Sequence, residues 1–174
     1  ASDPRNYGDA HKYIERGLSL CEEIGHDEYE VKICATGVFN ALAGMFLTDE
    51  YGLVLDREDV YETCRYYERP AFREACYEDF KIVPIAIEGR DFEQALKHSI
   101  SLPDSTHYQQ VATDLVAMMH IYDVRDYDFG YSAYTCNALD PLYRTPCIKG
   151  LVSGFTVVGI PDKEYERALA FCSS

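Results

Sequence analysis

The sequence lacks the local signatures on which most enzyme classes depend. It has no G-x-S-x-G nucleophile elbow, no glycine-rich phosphate loop and no H-E-x-x-H zinc motif. No two cysteines are separated by only two residues, so the usual zinc spacing is missing as well. We therefore predict a protein that is not an enzyme and uses neither a cofactor nor a metal. The histidines are expected to be surface or capping residues; they are His11, His26, His98, His107 and His120.

The chain is also poor in positive charge and in long apolar runs. It has 16 Lys and Arg against 30 Asp and Glu, giving a formal net charge of −14 spread along its length. Such a surface repels nucleic acid and anionic membranes, and it attracts basic protein patches or stays simply solvated. No stretch reaches the roughly 20 apolar residues of a membrane-spanning helix. We expect no membrane insertion, and no N-x-S/T sequon is present for glycosylation.

Seven cysteines are present, and six of them fall into three local pairs with one layout. A helical segment ends in Cys, a short polar link and an aromatic residue follow, and a second Cys closes the pattern. The aromatic residues are Tyr29, Phe72 and Tyr143. The pairs are Cys21 with Cys34, Cys64 with Cys76, and Cys136 with Cys147.

A fourth copy of this layout has lost both cysteines together. It keeps the aromatic residue as Tyr108 but has Leu102 and Ala112 at the cysteine positions. Joint loss favours bonded pairs over independent buried thiols, which remain the alternative and would fit a cytosolic protein. Each such bond would stabilise the fold by about 3 kcal/mol in the chain-entropy model. Disulfides predict an oxidising compartment, so we expect a secreted, cell-surface or periplasmic protein.

Two terminal features bear on the same prediction. Cys172 starts a fifth copy without a local partner, and it is expected to be free, intermolecular or paired with residues of a longer protein. The first residues, Ala-Ser-Asp-Pro, have no signal-peptide pattern, which fits a mature amino terminus after signal removal or an artificial start.

The copies predict an all-α fold. Their first positions, at residues 21, 64, 102, 136 and 172, repeat with a period suited to two helices. Apolar periodicity and stop signals predict about nine helices. Pro84 and Pro146 fall inside two of them and predict kinks or shifted boundaries, and Leu47 to Asp56 is the one long connection. The predicted helices span residues 9–24, 27–46, 57–68, 70–88, 90–101, 104–121, 127–138, 141–158 and 162–173.

Short loops between these helices favour antiparallel αα hairpins in a short right-handed α-solenoid or a compact helical array, with one domain spanning residues 1–174. The segments GRDFEQALKHSISLP and GIPDKEYERALAFC place Phe92 with Ala95, and Tyr165 with Ala168, on the second helix of a repeat. Gly37 and Gly150, each three residues after a cysteine, take the place of the small residue at a close helix contact. This pattern resembles tetratricopeptide-like αα repeats, and the resemblance implies architecture and a binding role.

Two further features of the sequence are candidate sites. In the run HIYDVRDYDFGY, Asp123, Asp126 and Asp128 are candidate calcium ligands, but the Gly and distal Glu of a calcium loop are missing and an ordinary connection is favoured. Fifteen tyrosines offer contact surface for proteins or sugars. Core packing is nevertheless preferred for the aromatic cluster of Tyr61, Tyr66, Tyr67 and Phe72.

The leading hypothesis is an extracytoplasmic helical-repeat protein that binds other proteins without catalysis. One alternative is the structural subunit of an extracellular filament, in which the partner is another copy of the chain docked head to tail. A further alternative is a helical enzyme with an acidic site.

Overall fold

The computed structural model describes residues 7–123, 129–158 and 164–173, and all of its regular structure there is helical. The all-α prediction is confirmed. Ten α-helical segments lie in these ranges, and no strand occurs in them. They are α1 (Ala10–Ile24), α2 (Glu28–Leu47), α3 (Glu62–Arg65), α4 (Pro70–Asp79), α5 (Ile82–Ile87), α6 (Phe92–Ser101), α7 (Thr106–Asp123), α8 (Phe129–Asn137), α9 (Pro141–Val158) and α10 (Glu164–Cys172).

The chain divides into two compact units with the boundary between Val83 and Pro84. The first unit contains α1 to α4, and the second contains α6 to α10. No tetratricopeptide-like repeat is identified in the described residues, so the regular repeat, the solenoid and the single domain stay predictions.

The predicted helix over residues 70–88 is wrong as a single helix, because Pro84 interrupts it. Proline has no N–H, and its ring clashes with the carbonyl group four residues earlier, which is that of Phe80. Helix α4 ends at Asp79 with Phe80 as its C-cap, and the carbonyl oxygen of Phe80 accepts a 2.9 Å hydrogen bond from the backbone N–H of Val83 instead. Pro84 then lies in the first turn of α5, where a missing N–H costs little.

The predicted helix over residues 57–68 is also wrong, because only the four residues of α3 are α-helical. Around it the backbone bonds reach back three residues, from Cys64 to Tyr61 and from Tyr67 to Cys64, as in a 3₁₀ turn. Val60, Tyr61 and Cys64 are all buried, with 1 % or less of each exposed. Burial of this short segment therefore overrides its helical pattern.

The connection from Leu47 to Asp56 is irregular and contains no strand. It contains a 3₁₀ turn, Glu50–Gly52, in which Tyr51 and Gly52 have φ values of 57° and 68°. Leu53 follows it and is 3 % exposed, which fixes the connection to the core of the first unit.

Helix α2 forms the core of the first unit, where it packs against α1 and α4. Its Val31, Phe39 and Leu42 are 2 % exposed or less. By length and composition alone this helix could cross a membrane, since an 18-residue window has mean hydropathy 1.3 with 33 % of it buried inside the protein.

Helices α7 and α9 make the closest packing of the second unit, and two glycines of α9 permit it. A Cβ atom at Gly150 would overlap the carbonyl oxygen of Asp114. At Gly154 it would lie 2.6 Å from the Cβ atom of Ile121 and 2.7 Å from the carbonyl oxygen of Met118. This geometry agrees with the expectation that Gly150 is the small residue at a close helix contact. The same expectation for Gly37 is wrong, because nothing lies within 4 Å of a Cβ atom built there.

Pro146 lies inside α9 without ending the helix. Its missing N–H would leave the carbonyl oxygen of Leu142, four residues earlier, without a donor. The side chain of Gln110 on α7 supplies one, because its Nε2 atom donates to that oxygen at 3.0 Å. A neighbouring helix thus replaces the lost backbone bond, which the sequence pattern could not indicate.

Candidate functional site

The three predicted disulfides are present in the structure, so this prediction is confirmed. Each joins the end of one helix to the next helix of the chain: Cys21–Cys34, Cys64–Cys76 and Cys136–Cys147. The Cα atoms of the pairs lie 5.5, 5.3 and 5.6 Å apart, in the range that disulfides require. Disulfides persist in oxidising surroundings, so they indicate an oxidising, extracellular environment.

The remaining predicted site residues form no cluster in the described part of the chain. Cys172 is an exposed free thiol at the end of α10. Asp126 and Asp128 lie outside the described residues, and Asp123 is known only as the last residue of α7. Among the described residues, no three His, Cys, Asp or Glu side chains are placed to hold a metal ion.

Two of the histidines depart from the expected surface or capping role. His120 is 6 % exposed, stacks on Phe92 with ring centroids 4.0 Å apart, and lies with its Nε2 atom 3.1 Å from the hydroxyl of Ser132. It is a core residue of the second unit. His11 is partly buried and belongs to the site that follows.

A cleft of the first unit, which we call the α1 groove, runs along α1. Its volume is about 510 Å³. One wall is the amino-terminal cap and the exposed side of α1, and the other is the segment that joins α3 to α4 with the first turn of α4. The residues that define it are Asp9, His11, Lys12, Glu15, Leu18, Ser19, Glu22, Tyr66, Tyr67 and Phe72.

Aromatic rings from distant parts of the sequence meet at one end of the α1 groove. The ring of His11 stacks on that of Tyr66, with centroids 3.8 Å apart and planes inclined by 27°. The Nδ1 atom of His11 lies 3.1 Å from the hydroxyl oxygen of Tyr67. Tyr67 in turn makes edge contacts with Phe39 and Phe72. Core rings therefore hold Tyr67 in place, and Tyr67 positions the histidine.

The prediction that this aromatic cluster belongs to the core is correct for three of its four residues. Tyr61, Tyr67 and Phe72 are 0 %, 9 % and 8 % exposed. Tyr66 is 65 % exposed and faces the groove from outside the core. The sequence held no signal for this difference, since adjacent residues of this unit can both be buried, as Val60 and Tyr61 are.

Burial shifts the pKa values of two groove residues. Burial lowers the pKa of His11 below its usual value, although the charges of Asp9 and Glu62 act in the opposite direction. Burial raises the pKa of the Tyr67 phenol. His11 is therefore a neutral imidazole and Tyr67 a neutral phenol near pH 7, and the aromatic end carries no charge of its own.

Charged side chains line the rest of the α1 groove, and acidic ones predominate. Asp9 caps α1 by accepting a hydrogen bond from the backbone N–H of Lys12, and it also pairs with the ammonium group of that lysine at 2.9 Å. Glu22 pairs with Arg69 at 2.6 Å. Glu15 is exposed and makes no ion pair with any residue that the structure describes. Glu15 is therefore the groove carboxylate without a direct ion pair, although its charge still acts on Lys12, three residues before it on α1.

Arg69 pairs with the groove residue Glu22 and links three elements. Its guanidinium group binds Glu22 of α1 and, through two nitrogens at 2.7 and 3.3 Å, Glu28 of α2. The same group lies 5.3 Å from the ring centroid of Phe72. Carboxylates and an aromatic ring together hold this cation, an arrangement that stabilises cations in proteins generally.

The second unit has a smaller groove between α6 and α8. Its volume is about 380 Å³, and its lining includes Leu96, Leu139 and two exposed tyrosines, Tyr131 and Tyr134. Glu93 and Lys97 of its lining pair with each other at 3.0 Å, so its charges are balanced.

Comparisons of the chain with protein-family models, with curated proteins and with solved structures gave no match.

Proposed function

We propose that the protein is an extracytoplasmic module that binds other proteins without catalysis, and that the α1 groove is its contact surface. The observation that carries this proposal is the exposed Tyr66 ring, held by stacking on His11 at the mouth of a groove of about 510 Å³. A preformed cleft with a fixed aromatic wall loses little conformational entropy when a partner binds.

The chemistry of the groove suits a protein partner. Tyrosine provides contact area together with a polar hydroxyl group, and aromatic residues are enriched at the centres of protein interfaces. The disulfide Cys21–Cys34 ties α1 to α2 behind the groove, so the wall formed by α1 is braced. The oxidising surroundings indicated by the three disulfides support a partner outside the cytoplasm.

Peptide display on the oxidised, folded protein tests the proposal. We expect selected peptides to compete with one another and to bind Tyr66→Ala at least about fivefold more weakly than the wild type, as for loss of an aromatic contact at an interface. Tyr134→Ala is the matched control, since Tyr134 is 75 % exposed and lines only the second groove. Peptides whose affinity is unchanged by Tyr66→Ala, or reduced equally by both variants, would overturn the assignment of the groove.

The filament subunit and the acidic enzyme stay alternative predictions. A filament predicts assembly of the purified protein that grows with concentration, which sedimentation measures directly. An enzyme predicts turnover that one carboxylate substitution abolishes.

A further inference from the structure

The charge pattern of the α1 groove defines the kind of side chain that fits it. Its three carboxylates are Asp9, Glu15 and Glu22. Lys12 pairs with the first and Arg69 with the third, whereas Glu15 has no direct ion pair in the described residues and feels only the charge of Lys12 from beyond 4 Å. A ligand that brings a positive charge to Glu15 gains an ion pair without breaking one, and a ligand with a negative charge is repelled.

The aromatic end of the groove favours the same kind of ligand. The ring of Tyr66 is covered on one side by His11, and 65 % of the tyrosine is still exposed. An aromatic face attracts ammonium and guanidinium groups through its quadrupole. His11 does not compete for this position near neutral pH, because burial lowers the pKa of its imidazole.

Arg69 shows that this unit already holds a cation by the same chemistry. Its guanidinium group is bound by Glu22 at 2.6 Å and by Glu28 at 2.7 Å, and it lies 5.3 Å from the ring centroid of Phe72. Glu15 follows His11 by four residues on α1 and so lies on the same side of that helix as the ring that stacks on Tyr66, and no cation of the described residues is directly bound to its carboxylate.

We infer that the α1 groove recognises a lysine or arginine side chain of the partner, with Glu15 as its ion-pair acceptor and Tyr66 as its aromatic contact. This inference rests on the proposed protein-binding function and narrows the partner to a basic segment. The overall negative charge of the chain, −14, steers such a segment toward the protein.

Short fluorescent peptides test the inference by equilibrium binding to the oxidised protein. One series carries arginine and lysine, and a matched series carries citrulline and norleucine, which keep the shape and lose the charge. We expect the charged series to bind about two- to fivefold more tightly at low salt, since an exposed ion pair contributes up to about that factor. The advantage should shrink as salt is added.

Glu15→Gln should remove most of this advantage, and Tyr66→Ala should weaken the charged series by at least about fivefold. Glu23→Gln is the matched control, because it makes the same charge change on α1 outside the groove lining. Glu15 and Glu23 are both exposed on α1, so Glu15→Gln and Glu23→Gln are expected to fold.

The outcomes separate the two proposals. If citrulline and arginine peptides bind equally and both are weakened by Tyr66→Ala, the inference of a cationic partner side chain is overturned. The proposal that the groove binds proteins then still stands. Equal reduction of the arginine advantage by Glu15→Gln and Glu23→Gln would also overturn the inference of a cationic side chain at Glu15. The advantage would then be a general effect of the net charge of the protein. Tight binding of free spermidine with no binding of the basic peptides would overturn both, since the occupant would then be a small polyamine.

Discussion

Two glycines at matched positions should respond to one substitution with opposite signs. Gly37 in α2 and Gly150 in α9 each follow a cysteine by three residues, and both lie inside a long helix. A glycine inside a helix costs up to about 1 kcal/mol relative to alanine. At Gly37 nothing lies within 4 Å of an added Cβ atom, so we expect Gly37→Ala to stabilise the first unit by about 0.5–1 kcal/mol.

The same change in α9 meets the neighbouring helix. A Cβ atom at Gly150 would overlap the carbonyl oxygen of Asp114 and would lie 2.9 Å from the Cβ atom of Ala117. These are a backbone atom and the stem of a short side chain, so relief requires α7 and α9 to separate. Overpacking of this kind costs about 1–3 kcal/mol, and after the gain in helix propensity we expect Gly150→Ala to destabilise the second unit by about 1–2 kcal/mol.

Urea denaturation of the oxidised protein, followed by far-ultraviolet circular dichroism, measures both changes as shifts of the midpoint. Gly44→Ala is a second test of the open face, since a Cβ atom at Gly44 also has nothing within 4 Å. A rise of the midpoint for Gly150→Ala would refute the close contact of α7 with α9. A lower midpoint for both Gly37→Ala and Gly44→Ala would refute the inference that these glycines lie on an open face of α2.

Three further changes have definite expected outcomes. Tyr61→Phe should stabilise the protein by about 1 kcal/mol in the same denaturation assay, because the buried Tyr61 hydroxyl has no hydrogen-bond partner among the described residues; a lower midpoint would reveal a partner. Burial raises the pKa of Asp79 above its ordinary value of 3.8, so the folded state holds the proton of this carboxyl group more tightly than the unfolded state does. The stability that the protonated carboxyl group contributes is therefore lost as pH rises through the folded-state pKa. Asp79→Asn should therefore raise the midpoint at neutral pH, with an advantage that vanishes as pH falls toward 3.8, and an advantage independent of pH would contradict this assignment. Replacing both Cys136 and Cys147 with Ala should lower stability by about 3 kcal/mol, because the bond closes a loop with a sequence separation of 11, and an unchanged midpoint would show that the bond constrains little.

The local features of this protein were predictable from its sequence. The observed α1, α2 and α6 begin and end within two residues of the predicted bounds, and the first residues of α7 and α9 and the last residues of α8 and α10 agree equally well. The disulfide partners were predictable too, because they are only 11 to 13 residues apart and recur in one layout. Pro84 marked a shifted boundary correctly, whereas the shortness of α3 was missed because burial decided it.

The α1 groove could not be predicted, because its walls are far apart in the sequence. His11 and Tyr67, whose side chains meet at 3.1 Å, are separated by 56 positions. Which adjacent tyrosine faces the groove, and which glycine lies against another helix, depend on how the helices pack. Helical periodicity and chain proximity act over a few residues, so the sequence by itself determined the helices and their disulfides. Packing of side chains across distant segments is a tertiary property, and only the structure decided where the exposed ring, the unpaired carboxylate and the close helix contact lie.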